Sequence, residues 1–409
     1  MLDELFTTIE GGITTPEGFA GAAVCCGIKP ESLDLMLLSS DRPAAAAATI
    51  TRNAFRAAPT FVTQEHTTDG QAQAIVANSG NANAATGQQG MDNARKMAAL
   101  TAEQLGVECL DVIVCSTGKI GQQLPMEKIQ RGIRQAAIRL TRADPDSLAR
   151  AIMTTDTFPK MVSVQFAVDE KLVKMSGIAK GAGMICPDMA TMLCFITTDL
   201  AIAPEILRKT LQQAVELSFN CISTDGCMST NDTVAILANG AAGNAPIESE
   251  QSAGYEEFRA ALGYVTQELA RMIARDGEGA TKFVEIRVGG ADSWEQARHI
   301  ARHIANYNLV KASLFGEDLN WGRIAAAMGA AAPELDPEQV TIRCAGITAW
   351  SHGEPASFDE AQAKSAMQED EILIEVDLGV GDAQATVWTC DLTYDYIKEN
   401  AGPDVYDHS

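Results

Sequence analysis

The residue of this chain best placed for covalent chemistry is a threonine. Thr191 stands in the stretch KGAGMICPDMATMLCFITTD, from Lys180 to Asp199. Gly181 and Gly183 have no Cβ, so the chain can take positive φ there and approach other backbone closely. Pro187 fixes φ and removes a donor, which breaks regular structure just upstream. Ala190 is too small to shield the bond that follows it. After Thr191 comes MLCFI, a continuous apolar run bounded by polar residues, which predicts a strand buried on both faces. A Gly/Pro loop feeding a hydroxyl into the mouth of a buried strand suits self-cleavage. The hydroxyl attacks the Ala190 carbonyl, water releases the ester, and Thr191 becomes the first residue of a second chain. Its new α-amine, with an ordinary pKa of about 7.7–8.0, accepts a proton near neutral pH. A threonine activated by its own amine is a known nucleophile design. On the local pattern alone, a plain core strand opening after a glycine turn is the reading to prefer.

Other residues could serve such a hydroxyl. A predicted strand, Leu110–Cys115, runs into Ser116-Thr117-Gly118-Lys119-Ile120-Gly121. This is not a phosphate-binding P-loop, because Ile113 stands where its first glycine is required. A hydroxyl and a Gly amide at a strand end suit oxyanion donors; an ordinary strand-to-helix turn has the same look. Thr154–Lys160 (TTDTFPK) fits capping and turn chemistry, or hydroxyls placed in a pocket. Glu278, between Gly277 and Gly279, is free to reach an amine, or is a solvated loop acid. Asn78–Asn83 is dense in amides and permissive backbone, an ordinary turn cluster or a polar loop shaping a pocket. His299 and His303 lie four apart on a predicted helix, Ser293–Ile304. No third ligand is near them in sequence, so a surface helix face is preferred to a zinc site and no metal is expected.

Strands and helices must position these residues, and both occur throughout. Strand-like pieces at Leu35–Leu38 and Ala48–Thr51 flank a turn signal, Asp41-Arg42-Pro43; Ala44–Ala48 reads equally as helix or strand. Helices are predicted at Met91–Leu105, Met126–Thr141, Pro204–Leu217 and Tyr255–Arg275. Val162–Val168 with Lys171–Met175 reads as a hairpin. Further strands follow at Thr233–Leu237 and Phe283–Val288. FGEDLNWGRI (315–324) reads as a Gly-containing loop entering an Ala-rich helix, Ile324–Ala332. Glu371–Leu378 and Ala383–Leu392 read as a second hairpin, followed by a short helix, Tyr394–Asn400. No repeat and no low-complexity linker marks a domain boundary.

Length and composition limit the possibilities. The 409 residues allow two or three domains, or one large α/β body. Hydrophobic residues are 46% but aromatics only 5%, so Ala, Val, Ile, Leu and Met must fill the core. A formal net charge of -23 repels phosphate backbones and anionic membranes, which sets nucleic acid and membrane partners aside. MLDELFTTIEGG lacks the basic and apolar regions of a signal peptide. No apolar run nears the roughly 20 residues that span a bilayer. The ten cysteines are scattered without a CxxC pair, as small hydrophobes of a reduced, cytoplasmic protein would be.

Taken together, these segments resemble the ornithine acetyltransferase family, also called glutamate N-acetyltransferase. The processing segment (Lys180–Ile185, Met189–Leu193) carries most of the likeness. Asn78–Ala84, Ser116–Gly118, Thr154–Pro159, Ser229–Thr233, Asp276–Lys282 and Asn320–Arg323 add to it. The resemblance covers nearly the whole chain. It implies a layered α/β/β/α-type sandwich of the self-cleaved, N-terminal-nucleophile kind. Residues 1–190 would form an α chain and 191–409 a β chain, two of each making a heterotetramer. The implied reaction moves acetyl from N2-acetylornithine to glutamate, in arginine biosynthesis, through an ester on Thr191. It needs no cofactor and leaves acetyl-CoA open as a second donor. By resemblance, Ala190 and Thr191 flank the cut and Thr117 and Gly118 form the oxyanion hole. Thr157, Lys180, Thr191, Glu278 and Asn400 contact substrate. Lys180 can pair with a carboxylate and Glu278 can hold an ammonium. The chain departs from the family's pattern at Cys186, Asp188, Phe158 and Leu319, and in its longer tail, AGPDVYDHS. The competing readings are a self-processing amidase or aminopeptidase using the same nucleophile, and a binding paralogue without chemistry.

Overall fold

The computed structural model describes residues 5–141, 145–186 and 192–401. Its strands in chain order are β1 (Thr7–Thr8), β2 (Phe19–Val24), β3 (Leu35–Ile50), β4 (Gln71–Asn78), β5 (Val112–Ser116), β6 (Lys160–Val168), β7 (Lys171–Lys180) and β8 (Leu193–Thr198), then β9 (Ile222–Ser223), β10 (Thr233–Ala238) and β11 (Phe283–Ala291). The last five are β12 (Thr341–Cys344), β13 (Ile347–Ser351), β14 (Glu354–Pro355), β15 (Glu371–Asp377) and β16 (Ala383–Cys390). Among the described residues the first sheet has nine strands, in the order β1-β6-β7-β8-β10-β3-β4-β5 with β2 beside β3. The second has seven, in the order β14-β13-β12-β15-β11-β16-β9.

The apolar run after Thr191 is a strand buried along its whole length, as its composition predicts. β8 lies antiparallel to β7, with Lys180 opposite Leu193, and parallel to β10, with Thr233 opposite Leu193. Its residues alternate between two cores. Cys194 and Ile196 join Val234 and Ile236 under the helices α5 (Pro204–Glu216) and α6 (Tyr255–Arg275). Leu193 and Phe195 face the other way, onto Phe19, Met36, Leu38 and Leu148. Three more helices cover the β3-β4-β5 end: α1 (Ala58–His66), α2 (Gly87–Leu105) and α3 (Met126–Ile138). A fourth, α4 (Pro145–Ile152), packs on β2 and β3. α6 also touches the second sheet, where Arg271 and Arg275 stand over the Phe283 ring. The far side of that sheet carries α7 (Trp294–Asn306), which packs on β11 and β16. The result is the layered α/β architecture expected. One apolar cluster runs from Ile196 of the first sheet to Ile286 of the second, so no break in the core divides the chain.

Three sequence expectations fail here, each for a topological reason. Asp41-Arg42-Pro43 is not a turn. It lies inside the 16-residue β3, where the register with β4 shifts between Ser39 and Ala44. Pro43 sits in that bulge, where the ladder does not require its missing N–H. The second hairpin is also wrong: β15 is parallel to β11 and β16 antiparallel to it, so β11 lies between them. The Gly379–Asp382 connection crosses the end of β11, its amides donating to Gly290 O. Finally, 315–324 is not one loop. α8 (Asn308–Phe315) precedes it, and α9 (Trp321–Ala331) starts early because the Asn320 side chain caps it through Arg323 N. α10 (Glu360–Ala366) and the β12–β14 meander carried no periodic signal strong enough to predict. The last helix among the described residues, α11 (Tyr394–Ala401), falls where expected.

Phe195 has no exposed surface and anchors β8 from the side opposite α6. Phe195→Ala is expected to cost about 3–5 kcal/mol of stability, read as a lowered urea midpoint. An unchanged midpoint would mean that β8 is not the packed centre of the first sheet.

Candidate active site

A cavity of about 420 Å³ opens where the ends of β5 and β7 meet the loops at 223–231 and 276–280 and the helix α11. One wall is cationic. Lys180, the last residue of β7, is 3% exposed, and its Nζ donates to Thr154 Oγ1 at 2.7 Å and to Thr117 Oγ1 at 3.5 Å. Burial lowers its pKa from the ordinary lysine value, an effect that Asp156 opposes. The other wall is anionic. Asn400 Nδ2 donates to Glu278 Oε2 at 2.8 Å. Asp225 and Tyr396 stand beside them, and burial, then Asp225, raises the Tyr396 phenol.

Two glycines fix the walls. Gly118 adopts φ +129°, and a Cβ there would lie 2.4 Å from the Gly80 carbonyl carbon, so the 116–118 loop can press on the 78–83 loop only as glycine. A Cβ on Gly183 would lie 2.2 Å from the Glu278 carboxyl carbon. Gly183 is therefore present for close approach. The amide-rich Asn78–Asn83 segment is the floor beneath these loops. Asn78 Nδ2 donates to Asn81 O at 2.8 Å, Ser116 Oγ to Asn78 Oδ1 at 2.6 Å, and Asn83 Nδ2 to Gly90 O at 2.9 Å. Asn231 Nδ2 then ties this floor to the 229–233 segment through Ala82 O (2.6 Å) and Ser116 O (2.7 Å). The Thr117 amide donates to Asn78 O, so the group Thr117 offers the cavity is its hydroxyl.

Behind the cationic wall lies a buried ion triad. Lys160 Nζ donates to Asp156 Oδ1 at 2.7 Å and to Asp276 Oδ2 at 2.5 Å, with all three side chains out of solvent. Asp156 also accepts from Gly181 N (2.6 Å) and Thr154 N (3.0 Å). Burial alone would raise the Asp156 pKa. The ammonium groups of Lys180 and Lys160 and the Gly181 amide outweigh it and hold the carboxyl below its usual range. Asp276 accepts from both the amide and the hydroxyl of Thr157.

The structure thus brings Thr117, Gly118, Lys180, Glu278 and Asn400 into one cavity. It does not bring Thr157 into the lining. Ala190 and Thr191 lie outside the described residues, as do Pro187, Asp188 and the tail after Ala401. The departures that are described are accommodated. Cys186 is buried and its Sγ accepts from Asn306 Nδ2, Leu319 packs on the core, and Phe158 presents its ring to Lys160. Asp225, Tyr396 and the Asp156–Lys160–Asp276 triad were missed. The one signal for them was a run of acids and hydroxyls beside Gly226 and Gly277, which looked like turn chemistry. His299 and His303 share a face of α7, and no group of three or more metal-ligating side chains occurs among the described residues. No described helix is long and apolar enough to cross a membrane.

Fold and cavity together define a layered α/β enzyme with a bipolar small-molecule site. More particularly, the chain belongs to the ArgJ family, whose pattern it matches over residues 20–403. It is 48% identical over 395 residues to the arginine biosynthesis bifunctional protein ArgJ of Symbiobacterium thermophilum, covering 96% of this chain and 98% of that one. A protein of the same name from Caldanaerobacter subterraneus is 47% identical over 396 residues, again covering 96% and 98%. The crystal structure of an arginine biosynthesis bifunctional protein argJ from Bacillus halodurans is 38% identical. It covers 50% of this chain and 96% of its own, with a TM-score of 0.49.

Two stability outcomes follow from the triad. Lys160→Ala leaves two buried carboxylates without their cation and is expected to cost about 3–5 kcal/mol. Because the folded Asp156 pKa is depressed, its contribution is present above the ordinary carboxylate value of about 3.9 and is lost as pH falls through the folded value. Urea midpoints should therefore drop on acidification below about pH 4, and less steeply in Asp156→Asn. Identical acid slopes in the two proteins would count against the network.

Proposed function

We propose that this chain is a self-processing acetyltransferase that moves acetyl from N2-acetylornithine to glutamate. The observation that carries the reading is the pairing of Lys180 and Glu278 across one cavity at the end of β7, opposite the start of β8. A buried cation and a carboxylate facing each other match an amino acid's two charges. The name shared by the relatives, an arginine biosynthesis bifunctional protein, supports the same chemistry. In this reading the chain opens between Ala190 and Thr191, giving an α chain of residues 1–190 and a β chain of 191–409. Two of each assemble in the cytoplasm.

The steps follow from the groups on the walls. The Thr191 hydroxyl, its proton taken by its own α-amine, attacks the acetyl carbonyl of N2-acetylornithine. Negative charge develops on the carbonyl oxygen, and the Thr117 hydroxyl and Gly118 amide donate to it. The C–N bond breaks, ornithine leaves with the proton, and the acetyl group stays on Thr191 as an ester. Glutamate's amine then attacks that ester, reversing the sequence. Lys180 holds the substrate carboxylate. The charge of that anion opposes the burial that depresses the Lys180 pKa. Glu278, braced by Asn400, holds the ammonium group. Thr157 acts from behind the wall, through Asp276. No cofactor is required, because the acetyl group passes through the protein; acetyl-CoA is a candidate second donor to the same hydroxyl.

Intact-mass measurement should return two chains that divide before Thr191, and Thr191→Ala should remain a single chain of 43.4 kDa. Acetyl release from N2-acetylornithine should depend on glutamate. Release that ignores glutamate would favour the amidase reading instead. Glu278→Gln should raise KM for the donor by about tenfold to a hundredfold, the worth of a hydrogen bond to a charged group.

A further inference from the structure

The two charged walls fit the donor better than the acceptor. N2-acetylornithine carries one carboxylate and one ammonium, and the cavity offers Lys180 to the first and Glu278 to the second. Glutamate carries two carboxylates. Its α-carboxylate can take the donor's place at Lys180, but its side chain ends in a negative charge that Glu278 repels. A cavity that turns over both amino acids needs a second cation.

The charged side chains in the lining are Lys119, Lys180, Asp225 and Glu278. Three of them are engaged. Lys180 donates to Thr154 and Thr117, Glu278 accepts from Asn400, and Asp225 accepts from the amides of Met184, Ile185 and Cys227. The Lys119 ammonium has no hydrogen bond or ion pair among the described residues. Its main chain, by contrast, is held on both sides. Lys119 N donates to Gly80 O at 3.5 Å, and Lys119 O accepts from Ala82 N at 2.9 Å. Two residues on, Gly121 N donates to Ala84 O at 2.9 Å. The residue directly follows Gly118, which the 78–83 floor admits only as glycine. Lys119 therefore brings an uncommitted, half-exposed cation to the cavity from a backbone that is fixed in place.

We propose that Lys119 is an acceptor-specificity residue that pairs with the side-chain carboxylate of an acidic amino acid while Lys180 holds the α-carboxylate. The assignment rests on the acetyl-transfer reading and adds a second subsite to it. The donor does not use this subsite, because its side chain ends in an ammonium that Lys119 repels and Glu278 attracts. The two amino acids share one carboxylate anchor and send their side chains to different groups.

The test is acetyl transfer by the purified protein from N2-acetylornithine to glutamate, or to glutamine, which has nearly the same shape without the side-chain charge. Exchange of label between ornithine and N2-acetylornithine, which needs no glutamate, is followed beside it. Wild type should prefer glutamate, through KM. Lys119→Met keeps an unbranched side chain and removes its charge. It should raise KM for glutamate about tenfold to a hundredfold, the worth of a hydrogen bond to a charged group, without raising KM for glutamine. Lys119→Arg should restore the preference. A Lys119→Met protein that exchanges label and prefers glutamate as strongly as wild type overturns the assignment while leaving acetyl transfer intact. Exchange lost in Lys119→Met would make the lysine a support of the Thr117–Gly118 loop, which overturns it equally. A wild-type protein that exchanges no label removes the proposed function and this subsite together.

Discussion

One ammonium group holds the site in shape. Lys160 Nζ sits between Asp156 and Asp276, two acids that are 120 residues apart in the chain, with no side chain of the three in contact with solvent. A buried ion set is rarely a net gain over apolar packing, because desolvation consumes most of the Coulomb energy. Its value here is geometric. Asp156 fixes the amides of Gly181 and Thr154, and these frame Lys180. Asp276 fixes Thr157 and begins the loop that carries Glu278. The cationic and anionic walls of the cavity are therefore set by the same nitrogen, and neither can shift without breaking a charged hydrogen bond in a place with no water to replace it.

That rigidity relies on backbone contact as much as on charge. Gly118 lets the β5 loop press on the Gly80–Asn81 backbone, and Gly183 lets the Glu278 carboxyl lie against the segment that leads to Thr191. In both places a methyl group would occupy the space of an existing atom. The close approach that the sequence allows at Gly183 is made in the structure, against a side-chain carboxyl rather than backbone.

Much of the arrangement was legible and some was not, for physical reasons. β8 announced itself because a strand buried on both faces opens on an unbroken apolar run, Leu193 to Ile196. α6 could be read to the residue, since its period and the Asp-Gly stop agree. Thr117, Gly118, Lys180, Glu278 and Asn400 could be gathered only by resemblance, because they lie on four separate segments whose meeting is a property of topology. The Asp41–Pro43 bulge and the β15-β11-β16 order failed for the same cause: local residues signal a reversal but not which partner a strand will take. The triad was hidden because a buried Asp or Lys looks in sequence like a solvated one.

The fold also explains why an opening before Thr191 need not dismantle it. Lys180 and Leu193 are opposed in one ladder, so the stretch between them connects neighbouring strands of the sheet. Contacts crossing the opening include the β7–β8 and β3–β10 ladders, the Lys160–Asp276 pair, and Asn231 bound to Ala82 and Ser116. The apolar cluster beneath α6 draws Val162, Val164 and Phe166 from before the opening and Ile196, Val265 and Leu269 from after it. Neither piece could bury its share of that surface alone, so hydrophobic burial would keep the two together. A nucleophile placed at that junction could gain a free amine while the walls around it stay where the intact chain put them.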